Sequence, residues 1–128
     1  MRDYKKFGVW QKSHELTLVI YKEVAPYFPD FEKYGLASQI RRSAYSIPFN
    51  IAEGCGRNSD KDFTHFLDMS LGSIHELEYC IMLTNELLYI DEKKIIELSE
   101  KINEIKAMTI NLIRKIRMRN AERGTGNG

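Results

Sequence analysis

The sequence predicts an all-α protein, an antiparallel up-and-down four-helix bundle. Apolar residues recur at helical spacing along most of the chain, no strand-like alternation or internal repeat interrupts them, and Pro and Gly cluster in a few short stretches. The 128 residues are enough to bury one core without a disulfide or a metal. We expect residues 1–123 to form a single domain and residues 124–128, GTGNG, to form a disordered tail.

The first helix is predicted to run from about Val9 to Tyr27, because two neighbouring apolar stripes follow the helical period there. Pro26 and Pro29 bracket its end, since proline cannot continue the ladder of backbone hydrogen bonds. A connecting loop then covers residues 30–35.

The second helix is predicted to begin near Leu36. Its apolar stripe consists of Leu36, Ile40, Ala44, Ile47 and Ile51. Pro48 falls inside this stripe, where it removes one amide donor and clashes with the carbonyl of Ala44. We therefore expect a kink or a break near Pro48.

The third and fourth helices are predicted to form a long hairpin with a corner at residues 89–91. Ser59 is expected to cap helix three, and Asp91 to cap helix four. Both helices carry apolar stripes with alternating steps of four and three residues, which favours long antiparallel packing. The stripe of helix three is Phe63, Leu67, Ser70, Ile74, Leu77, Ile81, Thr84 and Leu88. The stripe of helix four is Ile95, Leu98, Ile102, Ile105, Thr109, Leu112 and Ile116.

The charge is nearly balanced, with 19 basic and 18 acidic residues, so the total charge alone implies neither a nucleic-acid nor a membrane partner. No segment approaches the roughly 20 consecutive apolar residues of a membrane-spanning helix. Cys55 and Cys80 are the only cysteines, and no signal-like segment begins the chain. These features predict a protein of the cytoplasm with two reduced, unreactive thiols and no membrane partner.

A polar corner is predicted between helices two and three. There Asn50 and Glu53 can satisfy helix-end amides, and Arg57 can pair with a carboxylate. The same residues can instead form a ligand or nucleic-acid contact. Gly54 and Gly56 are expected to supply backbone freedom at this corner.

Gly72 lies inside the third predicted helix, where glycine costs about 1 kcal/mol relative to alanine. The close approach of another backbone can offset that cost. The backbone can belong to the same chain or to a second subunit.

Motifs for catalysis and for metal binding are missing. Bundles with two iron ions use two Glu-x-x-His motifs, whereas the nearest relative in this sequence is Asp62 with His65. His65 and His75 are ten residues apart, about 80° from a shared helical face. We predict no catalytic residue, no metal ligand and no cofactor.

A basic segment near the C-terminus supplies the best functional candidates. On a helical wheel its side chains lie away from the core stripe and predict a solvated basic face, which serves either solubility or phosphate binding. The candidates are Lys106, Arg114, Lys115, Arg117 and Arg119. Arg41 and Arg42, adjacent on helix two, are a second candidate pair.

The corner also carries a recognisable motif, SIPFNIAEGCGRNS at residues 46–59, preceded by YGLASQIRRSAY and followed by KDFTHFLDMSLGSIHELE. Together with FGVWQKSHEL, FPDFE and LLYID, this motif resembles the four-helix-bundle proteins encoded in intervening sequences of bacterial 23S ribosomal RNA genes. The resemblance implies a homo-oligomer of five subunits that is expected to bind nucleic acid. It assigns no catalytic activity to the motif.

Two functions agree with these observations. The first is a non-enzymatic, homo-oligomeric bundle that binds the backbone phosphates of structured RNA or DNA through the basic face. The alternative is a protein-interaction scaffold or accessory subunit, similar to the bundle proteins that accompany retroelement reverse transcriptases. In that alternative, exposed Tyr4, Phe7 and Trp10 would dock a protein partner. The missing motifs count against a third possibility, an enzyme with a cofactor in the bundle core.

Overall fold

Four long α-helices form an antiparallel bundle, which confirms the predicted fold class. The structure is a computed structural model that describes residues 2–126, with side chains described for residues 2–122. The helices are α1 (Gly8–Val19), α2 (Leu36–Cys55), α3 (Asp60–Glu86) and α4 (Glu92–Gly126). After α1 the chain continues through a π-helical segment, Ile20–Val24, and a 3₁₀ turn, Ala25–Tyr27. Shorter 3₁₀ turns cover Tyr4–Lys6 and Asp30–Glu32.

Contacts between neighbouring helices establish the up-and-down order. Ser46 meets Ser73 across α2 and α3, and Lys106 meets Glu78 across α3 and α4. Lys12 of α1 pairs with Glu104 of α4, which closes the bundle. Within the described residues, no helix is long and apolar enough to cross a membrane.

The predicted apolar stripes supply most of the core. In α2, Ile40, Ala44, Ile47 and Ile51 are buried, and Leu36 is partly buried against the core. The stripes of α3 and α4 are buried in the same way with two exceptions, Leu88 and Leu112. Leu112 is only partly buried, and Ile113 takes part in the core beside it.

Leu88 is the member of the α3 stripe for which the prediction is wrong. It lies beyond the end of α3, has a φ of 59° and is 84% exposed. The amide of Leu88 donates to Asn85 O at 3.1 Å and the amide of Tyr89 to Thr84 O at 3.2 Å. These two bonds form a Schellman motif, in which Leu88 takes the left-handed position that glycine usually occupies. The turn therefore ends the heptad pattern one step early.

Both predicted caps are confirmed. Ser59 Oγ accepts a hydrogen bond from the Asp62 amide at 3.1 Å, and Asp91 Oδ1 accepts one from the Lys94 amide at 2.8 Å. A third cap was not predicted: Glu32 accepts from the Leu36 amide at 3.1 Å and from the Tyr89 hydroxyl at 2.9 Å. Glu32 thus joins the start of α2 to the corner between α3 and α4.

Pro48 does not break α2, which runs without interruption from Leu36 to Cys55, so a break is the wrong alternative. Proline leaves the carbonyl of Ala44 without its amide donor. The buried hydroxyl of Thr17 in α1 donates a bifurcated hydrogen bond, to that carbonyl oxygen at 3.1 Å and to Ser13 O at 2.8 Å. A side chain of α1 therefore satisfies the group that Pro48 leaves unpaired.

The C-terminal boundary remains a prediction. Helix α4 reaches Gly126, so its last turn overlaps the expected tail at residues 124–128. Residues 127 and 128 lie outside the described part of the chain.

Substituting Thr17→Val should lower the free energy of unfolding by about 1–2 kcal/mol, because the Ala44 carbonyl would be buried without a partner. In a Pro48→Ala background the cost should fall by about half or more, since the new amide at position 48 supplies the missing donor. Urea denaturation of the single and double variants measures both values. Thr109→Val is the matched control, because within the described residues the buried Thr109 hydroxyl bonds only Ile105 O of its own helix, at 2.8 Å. Equal costs of Thr17→Val in both backgrounds would contradict the assignment.

Candidate nucleic-acid interface

The corner between α2 and α3 is held by polar contacts. The buried Asn50 donates its side-chain amide to Ser46 O at 2.9 Å and to Ser46 Oγ at 3.1 Å. Ser46 Oγ lies 2.7 Å from Ser73 Oγ of α3. Asn50 therefore supports the contact between α2 and α3 and does not face a helix end.

Arg57 and Glu53 lie on the surface of this corner. Arg57 Nη2 is 3.4 Å from Glu53 Oε2, and the Arg57 guanidinium lies 4.6 Å from the ring centre of Phe66. The side chains of both charged residues are nearly half exposed, so the pair contributes at most about 1 kcal/mol to stability.

Gly54 is required for space and not for backbone freedom, so the predicted reason was wrong. Among the described glycines none has a positive φ. A Cβ placed on Gly54 would lie 2.9 Å from Phe63 Cδ1 and 2.9 Å from Phe66 Cβ, whereas one on Gly56 would come no closer than 3.5 Å to its nearest neighbour. Gly54 therefore lets the end of α2 contact the first turns of α3.

Asp60, the first residue of α3, joins three parts of the chain. It accepts hydrogen bonds from Arg2 Nη2 and, at 3.1 Å, from Arg119 Nη2. Arg2 also donates to Arg57 O at 2.9 Å and lies 4.3 Å from the ring centre of Phe63. Partial burial alone would raise the pKa of Asp60, but the hydrogen bonds and charges of Arg2 and Arg119 outweigh it and lower the pKa.

The predicted basic face is partly neutralised by carboxylates of α3. Lys106 Nζ lies 3.2 Å from Glu78 Oε1, and Arg117 Nη2 lies 2.6 Å from Asp68 Oδ2. With Arg119 bound to Asp60, three of the candidate cations belong to ion pairs between α3 and α4. The expectation of one solvated basic face is therefore corrected. A helical wheel of α4 alone cannot show which charges a neighbouring helix offers.

Arg114 and Lys115 remain exposed, and neither has an ion pair among the described residues. The N-terminal segment lies at the same end of the bundle, because Arg2 and Arg119 bind the same carboxylate, that of Asp60. The exposed Lys5 and Lys6, also without ion pairs in the described chain, therefore lie at this end of the bundle. We call Lys5, Lys6, Arg114 and Lys115 the unpaired basic patch.

Arg41 and Arg42 do not join this patch. They precede Ser43, which lies 3.9 Å from Cys80, whereas Arg117 lies beside Asp68. The twelve residues between Asp68 and Cys80 correspond to about 18 Å along α3. Arg41 is half-buried, with its guanidinium 5.9 Å from the ring centre of Tyr21, while Arg42 is exposed.

Both cysteines are free and buried. Burial raises the pKa of Cys55 and of Cys80, which disfavours the reactive thiolate and agrees with the prediction of unreactive thiols. Within the described residues, no group of three or more His, Cys, Asp or Glu side chains is placed to hold a metal ion.

The exposed aromatic residues lie elsewhere than expected. Tyr4, Phe7 and Trp10 are partly buried and pack against the core, so they do not form the predicted docking surface. The most exposed large apolar side chains of the described residues lie instead at the opposite end of the bundle, in the segments before α2 and after α3. These residues are Tyr27 (69% exposed), Phe31 (78%), Tyr34 (88%) and Leu88 (84%). Phe31 and Tyr34, in the connecting loop predicted at residues 30–35, were the signal in the sequence that was missed.

The fold and this surface define a class: an all-α up-and-down bundle with a polar α2–α3 corner and a basic patch at one end. Residues 5–111 match the family described as 23S rRNA-intervening sequence protein, and the chain belongs to that family. The match ends before Arg114, so family membership by itself says nothing about the basic residues that follow.

A solved structure supports the assignment. The chain is similar to a protein of unknown function from the S23 ribosomal protein family of Bacteroides thetaiotaomicron, with a TM-score of 0.76 and 28% sequence identity. The alignment covers 83% of this chain and 95% of that one. A comparison with curated proteins found no significant match.

Replacing Asp60→Asn should lower the free energy of unfolding at pH 7 by about 1 kcal/mol, because Arg2 and Arg119 lose a shared carboxylate. Since the native pKa of Asp60 is depressed, its contribution is complete above the unfolded-state pKa of about 3.9 and is lost as pH falls through the native value. The difference in the free energy of unfolding between wild type and variant should therefore be constant from pH 7 to about pH 4 and should vanish at lower pH. Asp62→Asn, two residues farther along α3 and without an ion pair among the described residues, is the control in urea denaturation. A gap that persists at acidic pH would exclude this role for Asp60.

Proposed function

We propose that this protein is a non-enzymatic, homo-oligomeric bundle of the cytoplasm that binds the phosphate backbone of structured RNA or DNA. The observation that carries the proposal is the unpaired basic patch. Helix α4 contains no Asp or Glu between Lys106 and Asn120, and the exposed Arg114 and Lys115 have no carboxylate partner in the described chain. The family's name, which refers to 23S rRNA, agrees with a polyanionic partner.

The mechanism we propose is electrostatic docking. Lys and Arg side chains that replace the counterions of a nucleic acid release those ions, and the gain falls as salt rises. In the C-terminal part of α4 few cations are free, because Lys106, Arg117 and Arg119 already hold carboxylates. A symmetric assembly would repeat the patch, so several weak contacts would act together. The contacts would be to the backbone, without recognition of bases.

We propose that the assembly forms through the outer face of α3. Gly72 is exposed there, and beyond its own turn of the helix a Cβ on it would meet no atom of the described residues within 4 Å. The close approach within one chain that the sequence allowed is therefore not present, and a second subunit remains to offset the helix cost of glycine. Five subunits is the number that the family resemblance implies.

The double variant Arg114→Ala/Lys115→Ala should bind a labelled structured RNA and a matched DNA duplex more weakly than the wild type. The slope of log affinity against log salt should become shallower by about two units per bound chain, because each phosphate contact contributes about 0.9. Fluorescence anisotropy across a salt series measures both quantities. The charge-matched control is Lys22→Ala/Lys93→Ala, which removes two exposed lysines at the other end of the bundle. No binding by the wild type at low salt, or equal losses in the two variants, would refute the proposal.

Native mass spectrometry should show an oligomer for the wild type and smaller species for Gly72→Leu. Within one chain the new side chain meets open space and favours the helix, so thermal unfolding of the separated subunits should not weaken. Asn85→Leu, at another exposed position of α3, serves as the control. A wild type that is monomeric at all concentrations would exclude the assembly.

The second candidate function is a protein-interaction scaffold, favoured by the exposed apolar end formed by Tyr27, Phe31, Tyr34 and Leu88. Charges of both signs flank these side chains, since Glu86 and Asp91 are acidic and Lys33 lies 5.4 Å from the ring centre of Tyr34. The partner would therefore present an apolar segment. This reading requires one protein that co-purifies in a fixed ratio and is released by Tyr34→Ser/Leu88→Ser. Retention of the partner by that variant would dismiss it.

A further inference from the structure

A polar recess opens between the first turns of α3 and the C-terminal part of α4. Its volume is about 350 Å³, at the small end of the range for ligand sites. The lining residues are Lys61, Thr64, His65, Asp68, Arg117 and Asn120. All six side chains are polar. A groove farther along the same two helices is instead lined partly by isoleucine and methionine side chains.

The recess offers free hydrogen-bond donors. Arg117 uses one guanidinium nitrogen on Asp68, at 2.6 Å, and its other N–H groups have no partner among the described residues. The exposed Lys61 ammonium has no ion pair there, and the Asn120 side chain makes no hydrogen bond within the described chain. Thr64 contributes no donor, because its hydroxyl already bonds Asp60 O and Lys61 O, at 3.0 Å each.

Asp68 is the only acidic residue of the lining. Its carboxylate holds Arg117 at the edge of the recess, and the side chains of Arg117 and Asp68 are 55% and 45% exposed. A guanidinium can donate two parallel hydrogen bonds to a phosphate as it can to a carboxylate. A phosphate can therefore replace the Asp68 carboxylate as the partner of Arg117. The negative charge of Asp68 opposes any anion that enters. We therefore expect Asp68 to position Arg117 and at the same time to limit anion affinity.

We propose that this recess is a subsite for one phosphate group of a nucleic-acid backbone, held by Lys61, Arg117 and Asn120. The inference deepens the proposed function and rests on it for the identity of the ligand. Arg114 lies three residues before Arg117, and residues at that spacing are neighbours on a helix surface. The recess is thus continuous with the unpaired basic patch, and a backbone crossing Arg114 would place its next phosphate at Arg117.

Inorganic phosphate is the probe for the first experiment, with binding to the full-length protein followed by amide chemical shifts in NMR titrations. Added phosphate should change the amide chemical shifts of Lys61, His65 and Asn120, and these changes should reach a plateau as the site saturates. The Asp68→Asn variant should bind about fivefold tighter, because the repelling carboxylate is gone and Arg117 is released. The Lys61→Ala/Arg117→Ala variant should lose at least about tenfold in affinity.

The matched control is Asp62→Asn, which removes the same charge from the first turns of α3 at a residue outside the recess. An equal gain in Asp62→Asn and Asp68→Asn, or the absence of shifts at the recess, would overturn the inference. Thermal melts verify that each variant is folded. Phosphate binding at the recess without any RNA or DNA binding would support a phosphate site formed by these residues and refute the proposed function, and with it the nucleic-acid ligand. Nucleic-acid binding that is unaffected by Asp68→Asn would refute the subsite alone.

Discussion

The carbonyl oxygen that Pro48 leaves without an amide partner is the constraint on which the packing of α2 depends. A buried, unpaired carbonyl is costly, so α1 must place the Thr17 hydroxyl at Ala44. On the other side of α2, Ser70 donates to Ile47 O at 2.9 Å and Ser46 contacts Ser73. These hydroxyl contacts are directional, unlike apolar packing. They set the register of α2 against both neighbours within one or two turns of the proline.

Gly54 extends the same registration to the end of α2. A methyl group there would be too close to Phe63 and Phe66, so the last turn of α2 contacts α3 directly. Asp60, just beyond the corner, then ties α3 to the N-terminal segment and to α4 through Arg2 and Arg119. Several residues in and beside the motif that identifies the family therefore stabilise the packing of α2, α3 and α4. None of the contacts described for these residues requires a ligand.

Local sequence rules predicted much of the fold, and most of the wrong predictions concern residues whose contacts are set by a neighbouring helix. The caps at Ser59 and Asp91 and the core stripes depend on residues near in sequence, so pattern was sufficient. Leu88 fits the heptad spacing, yet the competing turn after α3 takes it out of the helix. The pairing of Lys106 and Arg117 depends on carboxylates located some thirty to fifty positions away, which no helical wheel contains. For the same reason, the recess between α3 and α4 was not visible from α4 alone.

The two buried thiols give the molecule internal reporters of its own opening. Only a thiolate reacts readily with alkylating reagents, and burial both hides these sulfur atoms and raises the pKa of each. Labelling therefore requires a transient local unfolding event. Cys55 senses the end of α2 beside the corner, whereas Cys80 faces Ser43 in the opposite half of the bundle, toward the C-terminal end of α3. The ratio of their labelling rates in the native protein tells whether the corner opens independently of the opposite half of the bundle.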